Sequence, residues 1–424
     1  MLSTRQLATI VSYAALTLLS TSIRFVNAED LCSIVPYSYT GAKSTHPELK
    51  TAIEMLENYA IASWFTDRQT PQERSDLMKG LLSQCSNDKR LSIVVYGIPN
   101  KDCAAGLSSG GSVTSASDYQ AFLKELTDAV GDRKVLYVVE PDALGLLAQD
   151  GGCGANAGYL ENLKVAVSTL STNANAELYI DIGYWMLANG HSTGKVASAM
   201  KEIAGSGRVK GVTINTSNYR SNDECATYCS NFQTAVGSSD MTCIIDTSRN
   251  YNGSPTSDWC NVPMAGIGKP PTSKTGVSNL DYFMWIKPPG ESDGECATGG
   301  TSAGSFYLDG FKQLWDQGYF VREQGMPKIG DSSYSVIQAP APSGDSSTTQ
   351  DTSNQTTAMA TEVPTSAGSI WNQEDNQEDI VATVAPAEPI STDISVPTLS
   401  ATTENKPEPT ARSGCKAKTR MRSL

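Results

Sequence analysis

Six short apolar runs restrict the fold of this chain more than any other feature. They are 91–96 (Leu-Ser-Ile-Val-Val-Tyr), 135–140 (Val-Leu-Tyr-Val-Val-Glu), 177–181, 209–214, 243–246 and 282–286. β-Branched and aromatic residues fill them, and their hydrophobicity is nearly continuous rather than alternating. Each therefore predicts a strand buried on both faces. Helix-like segments separate most of them. Pro71 to Gln84 opens with a proline at a first-turn position. Asp118 to Val130 follows Ser117 as the expected cap and spaces Phe122, Leu123, Leu126 and Val130 helically. Segments 160–170 and 196–203 read the same way. Strand, helix, strand at this spacing predicts βαβ units and an α/β fold with a parallel sheet or barrel.

The two ends of the chain differ from this middle. Residues 1–28 carry Arg5, an apolar run from Leu7 to Leu19 and a Val26-Asn27-Ala28 cleavage pattern. That is the pattern of a secretory signal peptide, too short for a membrane span, and it predicts a secreted, extracellular protein. Residues 29–328 are the expected folded domain. Residues 329–424 are rich in Ser, Thr and Pro and predict a disordered tail. In an oxidising compartment Cys225, Cys229 and Cys243 read as disulfide partners rather than metal ligands, with the pairing open.

Charge and histidine content exclude several function classes. The chain holds 45 acidic against 32 basic residues, a net charge of −13, which argues against nucleic acid or a membrane surface as partner. Only His46 and His191 are present, so no multi-histidine metal site can form, and no cofactor is expected. What remains is carboxylate chemistry. Asp102, Glu140 with Asp142, Asp181, Asp246, and Glu291 with Asp293 follow successive predicted strands. Parallel β/α barrels build their sites at those strand ends. A single such carboxylate often only caps a helix, but five successive strand ends are harder to explain that way. Crowded carboxylates cannot all ionise, so one keeps a proton and can act as a general acid, which is the glycosidase arrangement. Trp64, Trp185, Trp259 and Trp285 fall near these loops or strand ends, where an indole face suits a pyranose ring, although two or three of the four fit equally well as core.

The same residues carry a family resemblance. Val95-Tyr96-Gly97-Ile98-Pro99-Asn100-Lys101-Asp102-Cys103 resembles the first signature of glycoside hydrolase family 6, and Glu140-Pro141-Asp142-Ala143-Leu144 the second. Asp181-Ile-Gly183, Asn215-Thr-Ser-Asn-Tyr219, Asp246-Thr-Ser-Arg249, Asp258-Trp-Cys-Asn261 and Trp285-Ile-Lys287-Pro-Pro-Gly-Glu291-Ser-Asp293 follow in the family's order. The resemblance implies a distorted, TIM-like barrel of seven parallel strands over 29–328. It implies a secreted inverting cellulase that takes cellulose or another β-1,4-glucan, expected here as a monomer. Asp142 resembles the general acid. Asp102 resembles the carboxylate that keeps Asp142 protonated and relays a proton, and Ser108 the residue that positions the attacking water. Tyr96 matches the tyrosine beneath the distorted sugar, and Asp293 the carboxylate proposed as base. Trp64 and Trp259 match sugar platforms, and Lys287 and Glu291 match hydroxyl-binding residues. Asp181, Tyr184, Trp185, Asn215 and Asn218 are expected among the sugar contacts. Disulfides Cys103–Cys153 and Cys260–Cys296 are implied as well; Cys32–Cys85, and Cys243 with Cys225 or Cys229, are further expectations.

The sequence departs from the family pattern at Gly97 (usually Asp), Lys101 (usually Arg), Tyr184 (usually His) and Pro289 (usually Gly). Its loops after Cys103 and after Gly294 are short, which implies an open cleft and cleavage of internal bonds. The alternatives are a processive cellobiohydrolase and a catalytically silent glucan-binding protein. Asn252 and Asn354 stand in acceptor sequons; Asn215 does too, but at a predicted strand end.

Overall fold

A proline-led capping box sets the third helix of the chain, and similar local signals place most of the elements. The computed structural model describes residues 30–253 and 258–331. In chain order it runs β1 (Leu31–Cys32), α1 (Tyr37–Thr45), α2 (Lys50–Leu56), β2 (Ser63–Thr66), α3 (Pro71–Gln84) and β3 (Arg90–Tyr96). Then follow α4 (Ala116–Val130), β4 (Val135–Val139), α5 (Ala143–Ala148), α6 (Tyr159–Leu170), β5 (Ala176–Asp181), α7 (Gly190–Ala204) and β6 (Gly211–Ile214). The rest is α8 (Asn222–Val236), β7 (Thr242–Asp246), β8 (Leu280–Met284), α9 (Leu308–Asp316) and α10 (Tyr319–Arg322). At the start of α3, the Thr70 hydroxyl accepts from the Glu73 amide while the Glu73 carboxylate accepts from the Thr70 amide. The predicted cap of α4 moves by two residues. Ser115, not Ser117, accepts from the Asp118 amide, and Ser117 bonds the Ser115 hydroxyl instead.

All the named strands pair in parallel, along the path β1-β3-β4-β5-β6-β7-β8. β1 and β2 share one edge of β3: β1 meets Arg90 and Leu91, and β2 meets Ile93 to Tyr96. There are thus seven strand positions, as the family resemblance implies. The sheet curls until the two edges nearly meet. Ile61 and Trp285 form one bridge, and the Ala62 amide donates to the Trp285 carbonyl at 2.9 Å. A single bridge makes this seam far weaker than a full ladder.

The continuous apolar runs now have a cause. Val94, Tyr96, Leu136, Val138, Tyr179, Ile244, Tyr282 and Met284 form a cluster of strand residues inside the curl. Their neighbours Ile93, Val95, Tyr137, Val139, Leu178 and Ile180 pack outward against the helices. A third cluster covers the seam. There Trp285, Phe311, Trp315 and Phe320 pack with Tyr39 and Ile53 of the first two helices and with Leu49 between them. Trp285, expected near a sugar-binding rim, is therefore fully buried core.

Disulfides join Cys32 to Cys85, Cys103 to Cys153, Cys229 to Cys243 and Cys260 to Cys296, which fits folding in an oxidising compartment. Cys225 is buried and, among the described residues, in no disulfide; its thiol donates to the Arg220 carbonyl. Among the described residues, no helix is long and apolar enough to cross a membrane. The predicted signal peptide, Cys415, Asn354 and the tail beyond residue 331 lie outside the described residues.

Candidate active site

The strand ends open into a cleft of about 780 Å³ whose walls include Trp64, Tyr96, Asp102, Ser108, Asp142, Tyr184, Trp185, Asn218, Trp259, Lys287, Glu291 and Asp293. Its backbone is unusual. Among the described residues, Asn100, Asp102, Glu140, Asp142, Asn215, Ser217 and Asn261 are the non-glycines with positive φ, and all lie in loops at this end. Each such residue costs roughly 1–3 kcal/mol, and it persists where surrounding bonds over-determine it.

Buried carboxylates supply those bonds. Glu140, at zero exposure, accepts from the Gly97 and Ile98 amides at 3.1 and 3.0 Å and from the Tyr119 hydroxyl at 2.7 Å. Burial nevertheless pushes it up to about 7. It ties the loop after β3 to the end of β4. Gly97 sits against the Phe122 ring, where an added Cβ would fall 2.6 Å from a ring carbon, so the family's usual aspartate does not fit here. Asp246 does similar work at the other side. It accepts from the Ser217, Ser248, Ile286 and Lys287 amides and so gathers the ends of β6, β7 and β8.

Asp142 stands just before α5, held by its own amide, which donates to Asp181 Oδ1 at 2.7 Å. Its Oδ1 is buried without a hydrogen-bond partner. Burial first, then the charges of Asp181, Asp102 and Asp293, push its carboxyl well above the usual range. Asp181 is pushed up to about 7 by burial, against opposing bonds from Thr216, the Asp142 amide and the Gly183 amide. Across the cleft, Asp102 Oδ2 accepts from the Ser108 amide at 2.7 Å and from its hydroxyl at 2.9 Å. The same hydroxyl lies 2.9 Å from the Tyr96 hydroxyl. Lys101 secures this loop: its Nζ is 2.6 Å from Asp67 in a fully buried ion pair and donates to the Gly110 carbonyl at 2.5 Å.

Asp293 is the opposite case. Its Oδ2 accepts from Arg249 at 2.8 Å, the Asn261 amide at 2.8 Å and the Tyr219 hydroxyl at 3.1 Å. Burial alone would raise it, but Arg249 and then Lys287 overcome that and hold it below the usual range. Among the described residues, no group of three or more His, Cys, Asp or Glu side chains is arranged to hold a metal ion.

The sequence profile for glycosyl hydrolases family 6 matches residues 27–317. The chain belongs to this family. It is 35% identical over 275 residues to endoglucanase A of Cellulomonas fimi, covering 64% of this chain and 57% of that protein. It is 33% identical over 275 residues to 1,4-beta-D-glucan cellobiohydrolase C of Emericella nidulans, covering 54% and 59%. The solved endoglucanase Cel6 of Mycobacterium tuberculosis, in complex with methyl-cellobiosyl-4-deoxy-4-thio-beta-D-cellobioside, superposes with a TM-score of 0.59 at 25% identity. That match covers 68% of this chain and 98% of that one. The chain spans between 57% and 66% of the length of three curated endoglucanase relatives.

Within this family 6 chain, most of the predicted site residues line one cleft, and two do not. Asp181 has zero exposure, and its oxygens are taken by Thr216 and the Asp142 and Gly183 amides. Asn215 has zero exposure and spends its amide on the Asp246 and Arg220 carbonyls and the Arg220 amide. Neither lines the cleft; both sit behind its wall. Tyr184 lies in the cleft under Arg220, whose guanidinium is 4.3 Å from its ring. Trp64 and Trp185 are fixed by bonds to the Ile286 carbonyl and the Gln149 side chain. Asp67 and Arg249 were not predicted as site residues. Asp67 follows β2, which has no periodic signal, whereas Arg249 stands in a quoted motif beside Asp246.

Proposed function

We propose that this chain is a secreted, monomeric, inverting hydrolase that cuts internal β-1,4-glucosidic bonds of cellulose or a related β-glucan without a cofactor. The observation that carries this is Asp142, a cleft carboxyl with a buried, unpartnered oxygen and a raised proton affinity. Such a group keeps its proton at neutral pH and can deliver it to the glycosidic oxygen as the C–O bond breaks. Water held by Ser108 attacks the anomeric carbon from the other side and passes its proton towards Asp102. One carboxyl ends deprotonated and the other protonated, so inversion is balanced. Tyr96 supports the distorted ring. Asp293, locked to Arg249, is a weak base and serves better as fixed negative charge beside the developing oxocarbenium ion.

Trp64, Trp185, Tyr184 and Trp259 offer ring faces, and Trp259 is 45% exposed. Asn218, Lys287 and Glu291 offer polar groups beside them. A single residue, Glu295, separates Gly294 from Cys296, which leaves little chain to arch over a bound glucan and supports internal cleavage. The test is viscosity loss against reducing-end release on one soluble cellulose derivative. An endo-acting enzyme collapses viscosity after few cuts. Cellobiose release with little viscosity loss would instead mark a cellobiohydrolase, and binding without turnover a silent glucan-binding protein.

A further inference from the structure

The first helix reaches the cleft from the opposite end of the sequence. Tyr39, fully buried in α1, donates its hydroxyl to the Pro289 carbonyl at 2.8 Å. Its ring packs edge-on against Phe306 and Phe311. The same loop is fixed from beneath, where the Tyr307 amide donates to the Gly290 carbonyl at 2.7 Å and Gly290, at φ 92°, lies against the Phe311 ring. The backbone carrying Glu291 is thereby set, but its flexible carboxylate is not. One residue before Tyr39, the half-buried Ser38 hydroxyl donates to Glu291 Oε1 at 2.9 Å.

We propose that Ser38 is a positioning residue for Glu291, holding its carboxylate in one orientation towards a glucan hydroxyl in the cleft. The inference rests on the reading of Glu291 as a sugar contact. An oriented charged acceptor binds a hydroxyl better than one that must be ordered on binding. The proton state is affected as well. Burial pushes Glu291 up to about 7, while Lys287 and the Ser38 donor oppose that rise. The groups around it are Lys287 from the end of β8 and the Tyr39 phenol from α1, with Asp293 also acting on Lys287. Removing the Ser38 donor raises Glu291 further, so the carboxylate form is reached only at higher pH.

The experiment compares Ser38→Ala, Ser38→Thr and Glu291→Gln in the full chain, with a soluble cello-oligosaccharide as substrate. For Ser38→Ala the expected result is a KM raised about three- to tenfold, within the range for the net worth of one ordinary hydrogen bond. kcat should stay within about twofold, and the acid limb of kcat/KM should move to higher pH. Ser38→Thr should restore both. An unchanged KM and acid limb in Ser38→Ala, with KM raised in Glu291→Gln, would overturn the role of Ser38 alone. An unchanged KM in Glu291→Gln would overturn the sugar-contact reading beneath it.

Discussion

Asp142 depends on a neighbour that is fully buried behind the cleft wall. Asp181 touches its amide and contributes the largest carboxylate charge acting on it. Asp181→Asn keeps an oxygen that can accept from the Asp142 amide but removes the charge. The proton affinity of Asp142 should then fall, and the alkaline limb of kcat/KM should shift to lower pH, with kcat at the optimum changed much less. A pH profile of the variant checks this; an alkaline limb that stays put would show that Asp181 only shapes the loop. Asp142 and Asp102 were legible in the sequence because both follow β-rich runs in signature contexts. The true place of Asp181 and Asn215 was not legible, since a strand-end polar residue that faces the cleft and one that turns inward to bind amides leave the same pattern.

At the scale of elements, the most periodic segments were read best. The predicted α3 matches residue for residue, and α6 and β3 differ by one residue at their starts. β2 was invisible because four residues, buried in alternation, give no sustained run. α8 was missed for another reason. Its buried face is only Cys225, Cys229 and Phe232 at helical spacing, which reads as a cysteine cluster before it reads as a helix. The Cys229–Cys243 bridge joins α8 to the start of β7, at the end of the strands away from the cleft. Its sequence separation is 14, for which chain entropy gives about 3 kcal/mol. The double variant Cys229→Ser/Cys243→Ser should lose about that much in urea unfolding, with KM for a soluble glucan unaltered. A raised KM at unchanged stability would mean the bridge instead organises the cleft.

For the whole molecule, crowding carboxylates into one cleft has a cost in stability that depends on pH. Glu140, Asp181 and Glu291 are pushed up to about 7 in the folded protein, against values near 4 when exposed. Their contribution is fully present below the unfolded values and is lost as pH rises through about 7. Asp293, held low, contributes above its unfolded value and loses that as pH falls through its depressed one. Asp293 is ionised in both states above pH 5 and adds no slope there, so the raised groups set the trend and the unfolding midpoint should drop between pH 5 and pH 8; calorimetry showing a rise over that interval would refute this. The parallel sheet and its helices were readable from hydrophobic pattern. The seam at Ile61 and Trp285 was not, because closure rests on one bridge and an aromatic cluster drawn from both ends of the folded chain. All of this serves one protonated carboxyl. The most direct test is reducing-end release from a soluble cellulose derivative by Asp142→Asn, with circular dichroism confirming the fold. The account predicts a loss of about 10²- to 10⁴-fold, the usual worth of a positioned general acid; a folded variant with undiminished activity would contradict it.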